Sequence, residues 1–257
     1  MPIVSDSYPY LPVWLLSIML FAALLLAREA GAWFGRRRVT KPVPGDEGFA
    51  RTTVLGLLAL LIGFTFSIAL QRYDSRRALV VDEANAIGTT WLRVSLLEEH
   101  DRPQAKAVLL EYTMSRLDFG EAHSSRDELA RHRASVRAQS RLWETLINAT
   151  ASFKDTPRAG LILASTNDAI DLAEARLASR QAHIPPRILR MLVLFSVLSA
   201  GLVGYERPSE RRTSAMVLGL FTLAAALVVD LDRPTTGITN VPQIPMVNLF
   251  DSMQRDQ

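Results

Sequence analysis

The sequence predicts an all-α integral membrane protein with four transmembrane helices and a helical-bundle extramembrane domain between the second and third spans. Hydrophobic residues make up 49% of the 257 residues and are concentrated in four blocks, each long enough to cross a bilayer. Charged residues make up 21% and are concentrated between those blocks. This segregation is typical of a membrane protein rather than of a soluble one.

The first block covers residues 11–34 and includes the uncharged stretch LPVWLLSIMLFAALLLA. No Lys or Arg precedes it, whereas a secretory signal peptide has a basic segment in that place, so we expect a retained span. The connector that follows is basic, and it contains Pro42, Pro44 and Gly45, which disfavour a helix. We interpret the connector as a loop.

The second block, residues 52–70, contains no charged residue and is the clearest of the spans. No proline follows until Pro103, and Ala84, Ile87 and Trp91 recur at a helical period. We therefore expect the second helix to leave the membrane and to continue as a long helix.

The remainder of residues 71–184 is predicted to form a bundle of helices. Pro103 and Pro157 suit the first turn of a helix, and Ser124 followed by Asp127 suits an N-cap. These positions indicate the starts of three further helices in the extramembrane domain.

The third and fourth blocks, residues 187–205 and 213–231, are rich in Gly, Ala and Ser. Small residues allow membrane helices to approach closely, so we expect these spans to pack together rather than to act as separate anchors. Residues 232–257 contain several prolines and glycines, and we predict an irregular tail that is not helical before its end.

The distribution of basic residues predicts the orientation. The loops after the first and third blocks contain eight Lys and Arg, against five that flank the domain side of the second and third spans. Because cytoplasmic loops are enriched in Lys and Arg, both loops are predicted to be cytoplasmic. The N-terminus, the helical domain and the C-terminus are then expected outside the cytoplasm.

Several function classes are disfavoured by composition and motifs. The chain has no Cys, its four His are scattered, and no HExxH, GxSxG or phosphate-binding glycine motif is present. The 29 Lys and Arg are nearly balanced by 26 Asp and Glu, which leaves no broad basic surface for nucleic acid. We therefore predict no enzymatic activity, metal site, cofactor or nucleic-acid partner.

Polar residues beside apolar helix faces are the remaining candidates. Glu83 adjoins the apolar side of the long helix, and one interpretation is an interhelical salt bridge to Arg176 or a hydrogen-bonded contact near Asp171. The alternative is that Glu83 or Asp82 carboxylates from several subunits form a ring that attracts cations at a pore mouth. The predicted structural polar network comprises Arg76, Arg77, Asn85, Asp171, Arg176, Asp232 and Arg233.

Three segments show a family resemblance. They are RYDSRRALVVDEANAIGTTW, NDAIDLAEARLASRQAHIPP and VVDLDRPTTG. In these segments the chain resembles an uncharacterised family of bacterial membrane proteins described as bestrophin-like, and the resemblance extends from about Leu55 to Phe250. The matching positions are Arg77, Glu83, Ala84, Asn85, Asp171, Arg176, Pro185, Asp232, Arg233, Pro234 and Gly237.

The resemblance implies kinship with bestrophins, which are pentameric anion channels whose second span lines the pore and continues as a long helix outside the membrane. It implies a homo-oligomer, with a pentamer as one option, that conducts ions in a bacterial inner membrane and contacts membrane lipids. Phe64 and Phe66 are then candidates for an aromatic constriction, although Phe in a span is more often lipid-facing or packed. Thr65 and Ser67 are candidates to line a water path, although such hydroxyls usually bond their own helix.

Two alternatives stay open. One is a non-conducting, membrane-anchored interaction or sensory protein, and the other is a small transporter. The orientation also departs from the family pattern, because bestrophins hold their helical domain in the cytoplasm whereas the charges here favour the opposite side.

Overall fold

The computed structural model describes residues 11–37 and 48–256, and over those ranges its regular secondary structure is entirely helical. Four helical regions have the length and composition to cross a membrane, with mean hydropathies between 1.9 and 2.3. The predicted fold class is thereby confirmed. The four regions are α1 (Val13–Arg36), α2 (Phe49–Val94), the stretch Pro157–Glu206 that contains α5 and α6, and α7 (Arg211–Asp232).

Helix α2 is 46 residues long. At a rise of 1.5 Å per residue it measures roughly 70 Å, more than twice the hydrocarbon thickness of about 30 Å. No proline interrupts it. The charge-free first part and the polar second part therefore belong to one continuous helix.

The chain divides into two compact units. The first contains the chain before Tyr73 together with His183–Thr239, and the second contains Tyr73–Ala182 together with the chain from Asn240 onward. Each unit has its own hydrophobic core.

In the first unit, α1 packs closely against α6 (Pro186–Glu206) and also against α7. Leu24, Ala200 and Leu218 form one buried cluster. A Cβ on Gly204 would overlap the backbone carbonyl of Arg28, so the backbones of α1 and α6 lie in direct contact. Only a residue without a side chain permits this approach, as expected for helix packing in a membrane.

The second unit is a helical bundle. It contains the second part of α2 together with α3 (Arg102–Gly120), α4 (Ser125–Thr150) and α5 (Pro157–Gln181). The Ser124 hydroxyl caps α4 by accepting a hydrogen bond from the Asp127 amide at 3.2 Å. The buried core residues include Ile87, Leu97, Leu109, Tyr112, Leu142, Leu146 and Ile162.

The tail contains one further helix. Residues 232–257 were predicted to be irregular and not helical before their end, and Ile244–Arg255 form helix α8. Its Pro245 occupies the first turn, where the missing amide costs nothing. Met246 and Met253 lie two turns apart and are fully buried in the core of the second unit, so this packing stabilises a helix that local composition disfavoured.

Candidate functional site

One side of the charge-free part of α2 is not covered by the residues that the structure describes. Phe64 is 62% exposed and Ser67 is also exposed on this side. Phe66 is half-buried, and Thr65 is buried with its hydroxyl donating to the Leu61 carbonyl at 2.7 Å. The four predicted pore residues therefore occupy different faces, and Phe64 and Ser67 are the pair that points away from the chain.

The exposed side of α2 combines glycines with large apolar residues. Gly56 and Gly63 lie on it, and a Cβ added at either would meet no atom of the described residues within 4 Å. Leu57, Leu60 and Ile68 of α2 are exposed as well. Large apolar side chains also point outward from α1, α6 and α7, including Trp14, Leu26, Met191, Leu198, Met216 and Leu220. The two glycines leave room on α2 for the backbone of another helix.

A buried ion-pair cluster occupies the second unit. Glu83 on α2 is completely buried, and its Oε1 accepts a hydrogen bond from Arg116 Nε. Its Oε2 accepts from Arg176 Nη1 at 2.5 Å. Arg116 Nη1 also donates to Ser135 Oγ at 3.1 Å. One carboxylate on α2 is thus held by arginines from α3 and α5.

Three arginines surround the ring of Phe119 near the end of α3. The guanidinium carbons of Arg116, Arg176 and Arg180 lie 4.7, 5.7 and 4.8 Å from the ring centroid. Arg180 Nε donates to Glu128 at 2.8 Å. Cation–π contacts and two carboxylates therefore offset the cost of burying three like charges.

Tyr112 lies in the apolar core of the same unit. Burial raises the pKa of its phenol above the ordinary range, because the phenolate would lose its hydration. Tyr112 therefore stays neutral and acts as a core residue.

The buried cluster does not include most of the predicted polar network. Arg76 is buried and donates to the carbonyls of Ser179 and Ala182 at 3.2 and 2.9 Å. These hydrogen bonds satisfy carbonyl groups at the C-terminal end of α5 that have no partner within the helix. Asp171 is exposed and accepts from Asn167 Nδ2 at 2.9 Å. Arg77, Asp82 and Asn85 are exposed side chains on α2.

Two aspartates organise the chain at the end of α7. Asp232 Oδ1 accepts from the Ile184 amide at 2.8 Å. Asp230 accepts from the amides of Ile238 and Thr239 at 2.6 and 3.0 Å. Arg233 Nη1 donates to the Leu11 carbonyl at 2.6 Å. The side chains of Asp230, Asp232 and Arg233 therefore hold backbone segments in place.

Two residues that contact the buried ion-pair cluster, Arg116 and Gln243, were not among the predicted site residues. Arg116 lies on α3 in the same stripe as Leu109, Tyr112 and Phe119, all fully buried, and a charged residue on an apolar stripe was the available signal. Gln243 accepts from Arg176 Nη2 and lies in the tail that was predicted to be irregular. No local pattern marks Gln243.

Arg28 is a charged residue buried in the first unit. It is 1% exposed and donates to Glu29 at 2.6 Å and to the Pro208 carbonyl at 3.1 Å. These acceptors take the place of water around the buried guanidinium.

The comparisons with known proteins agree with this architecture. Residues 14–246 match the Bestrophin-like domain. The chain belongs to the bestrophin-like family. The family resemblance inferred from the sequence is therefore confirmed, and the bestrophin-like chain is a membrane protein of an ion-channel family.

Solved structures show the same fold. A single-substitution variant of a bacterial bestrophin homologue from Klebsiella pneumoniae superposes with a TM-score of 0.70 at 13% identity, over 96% of this chain and 97% of that one. A second structure of a bacterial bestrophin homologue from that organism has a TM-score of 0.71 at 13% identity, over 95% and 97%. No match was found among curated proteins. Thus the bestrophin-like chain has the bestrophin fold over nearly its whole length.

Proposed function

We propose that this bestrophin-like protein is a homo-oligomeric ion channel in which the charge-free part of α2 lines the pore. The observation that carries the proposal is the uncovered face of α2, which places Phe64 and Ser67 beside the small residues Gly56 and Gly63. In a ring of subunits, this face surrounds a common axis.

The composition of that face supports an axial position. The stretch 52–70 contains no charge, so an ion in transit meets no strong binding site that would retain it. Gly56 and Gly63 do not pack against any described residue of their own chain, and they permit the close approach of a neighbouring helix. Five copies is the number that the kinship with bestrophins implies.

Phe64 is the proposed constriction. It is the largest uncovered side chain between residues 61 and 67, and hydrophobic constrictions gate pores by excluding water. Ser67 lies on the same side and supplies a hydroxyl to the water path, while Phe66 and the buried Thr65 support the helix from within the subunit.

The two acidic candidates have different environments. Glu83 is buried between Arg116 and Arg176, which favours the interhelical salt bridge over a carboxylate ring. Asp82 is exposed on the neighbouring face of α2, so it is the candidate to attract cations. Asp82→Asn should then shift the reversal potential under a salt gradient, whereas Glu83→Gln should leave it unchanged.

We place the protein in the bacterial inner membrane with its N-terminus and helical domain outside the cytoplasm. This orientation rests on the excess of Lys and Arg in the loops after the first and third spans. The test is a reporter that is active only in the cytoplasm, fused after Gln257. Activity of this reporter would show that the C-terminus is cytoplasmic and would contradict the proposed orientation.

The decisive experiment compares two Phe→Ala variants in reconstituted bilayers. Phe64→Ala should raise the unitary conductance or the open fraction by several-fold, because it widens the proposed constriction. Phe195→Ala is the matched control, since Phe195 is an exposed phenylalanine of α6. Equal currents from the native protein and both variants would contradict the assignment of Phe64.

Electron microscopy of the purified protein tests the assembly. A closed ring with α2 around an axial opening supports the channel. A monomer, or a two-fold dimer without an axial opening, would favour a membrane-anchored interaction or sensory protein.

A further inference from the structure

Glycines bring the second halves of α1 and α6 into contact. A Cβ on Gly31 or Gly35 of α1 would overlap a backbone carbonyl of α6, and a Cβ on Gly204 of α6 would overlap a carbonyl of α1. The glycines of the two helices all lie in the second half of each helix. The first halves contain larger residues, so their backbones cannot approach each other as closely.

A groove of about 70 Å³ lies between the first halves of α1 and α6 and the second half of α7. Its walls are leucine and valine side chains of α1 and α6, such as Leu16, Leu20 and Leu189. Helix α7 contributes the small residues Ala225 and Ala226, which leave the space between the walls unfilled. All three segments belong to helices that have the length and composition to cross a membrane.

The lining of the groove suits hydrocarbon. Its two hydroxyls, those of Ser17 and Ser196, donate to the carbonyls of Val13 and Leu192 in their own helices at 2.8 and 2.7 Å. The other lining side chains are apolar. Because an apolar cavity needs roughly 150 Å³ to accommodate benzene, a groove of about 70 Å³ has room for a slender chain and not for a fused ring system.

An arginine without a carboxylate partner borders the groove. Arg190 directly follows the lining residue Leu189, is exposed, and donates from Nε to the Pro186 carbonyl at 3.4 Å, toward the start of α6. Among the described residues, no carboxylate forms an ion pair with it. Trp14 at the start of α1 is 63% exposed, and tryptophan is enriched at the membrane interface. Arg190 therefore supplies a cation near the end of the groove where lipid phosphates lie.

We propose that this groove holds one acyl chain of a phospholipid whose phosphate is bound by Arg190. Lipid tails are as apolar as the groove, so transfer from the bilayer gains little from the hydrophobic effect. The preference for this position comes from dispersion contacts with the walls and from the charge-assisted hydrogen bond between Arg190 and the phosphate. The site does not depend on whether the protein conducts ions.

Native mass spectrometry of the full-length protein in detergent tests the headgroup contact. The protein is titrated with phosphatidylglycerol, with diacylglycerol of the same chains, or with inorganic phosphate. Phosphatidylglycerol should bind about fivefold more tightly than diacylglycerol, and Arg190→Gln should remove this difference. Arg187→Gln is the matched control, because at about 100° per residue Arg187 lies on the opposite side of α6 from the lining residues. Equal affinities of the native protein for the two lipids, or displacement of the lipid by millimolar phosphate, would overturn the proposal.

Filling the groove tests the acyl-chain contact. Ala226→Leu should abolish lipid retention without lowering the unfolding temperature, because the added carbons enter the open space between the walls. Ala22→Leu adds the same atoms on an exposed side of α1 outside the groove and should retain the lipid. Unchanged retention in Ala226→Leu would contradict the proposal.

A measurement on the native protein guards against misfolding of the variants. Phosphatidylglycerol with a photoreactive diazirine in one acyl chain should label residues 13–20 and 189–196 more strongly than the other exposed parts of α1, α6 and α7. Equal labelling of all these exposed parts would overturn the proposal. So would protection of both segments, which would show that a second copy of the chain covers the groove.

Discussion

Glu83 Oε2 accepts a hydrogen bond from Arg176 Nη1 at 2.5 Å, and both side chains are buried. These residues lie 93 positions apart in the sequence and on different helices, α2 and α5. Arg116 completes the contact from α3. The extension of α2 is therefore tied to the bundle by a charge that water does not reach.

Replacement of Glu83 by Gln should destabilise the second unit by about 3–5 kcal/mol, because two buried guanidinium groups lose their counter-charge. Thermal or denaturant unfolding of the purified protein measures this loss. Glu111→Gln is the control, since the Glu111–Arg141 pair is exposed and its loss should cost at most about 1 kcal/mol. Similar losses in the two variants would show that the Glu83 cluster contributes little.

Gly204→Ala should destabilise the first unit by about 1–3 kcal/mol or more, because its Cβ would overlap the carbonyl of Arg28. The matched change is Gly219→Ala in α7, whose Cβ would lie 3.7 Å from the Phe21 ring, an ordinary contact. Unfolding temperatures in the same detergent should therefore separate the two variants. If Gly204→Ala has the same unfolding temperature as the native protein, the backbones of α1 and α6 are not in direct contact at Gly204.

Asp230→Ala should loosen the turn after α7. It removes the acceptor of the Ile238 and Thr239 amides, two hydrogen bonds to a charged group at about 1.5–3 kcal/mol each. Hydrogen exchange at these two amides should accelerate, and Asp230→Asn, which keeps one acceptor oxygen, should give an intermediate rate. Exposed Asp155→Ala should leave their exchange unchanged.

The C-terminal helix carries a pH-dependent contact. Hydrogen bonds from Lys106 and Trp91, together with the Lys106 charge, hold the pKa of Asp256 below its ordinary value of 3.8. The folded state therefore gains stability from the ionised carboxylate above that value, and this gain is lost as the pH falls through the lower folded pKa.

Asp256→Asn should consequently lower the unfolding temperature at pH 7 but have no effect at a pH well below 3.8. Asp251→Asn on the exposed side of the same helix should have no effect at either pH. If Asp256→Asn also lowers the unfolding temperature in acid, the charge of the carboxylate is not the cause of the lower stability.

Part of the buried cluster was visible in the sequence. Glu83 was singled out because an acidic residue adjoined the apolar side of a helix, and Arg176 was named as a partner. Arg116 and Gln243 were not named, although the apolar stripe around Arg116 was an available signal, and no local pattern marks Gln243. Their selection depends on where α3 and the tail pack against α2 and α5.

The sequence by itself determined the all-helical class, the four spans and the family. A bilayer requires long uncharged stretches, and the period of apolar residues marks helices locally, so both signals lie within short windows. The tertiary structure decided which polar residues are buried, that α8 forms, and that α2 leaves Phe64 and the small residues beside it uncovered. These properties depend on contacts between segments far apart in the chain, and no local pattern encodes them.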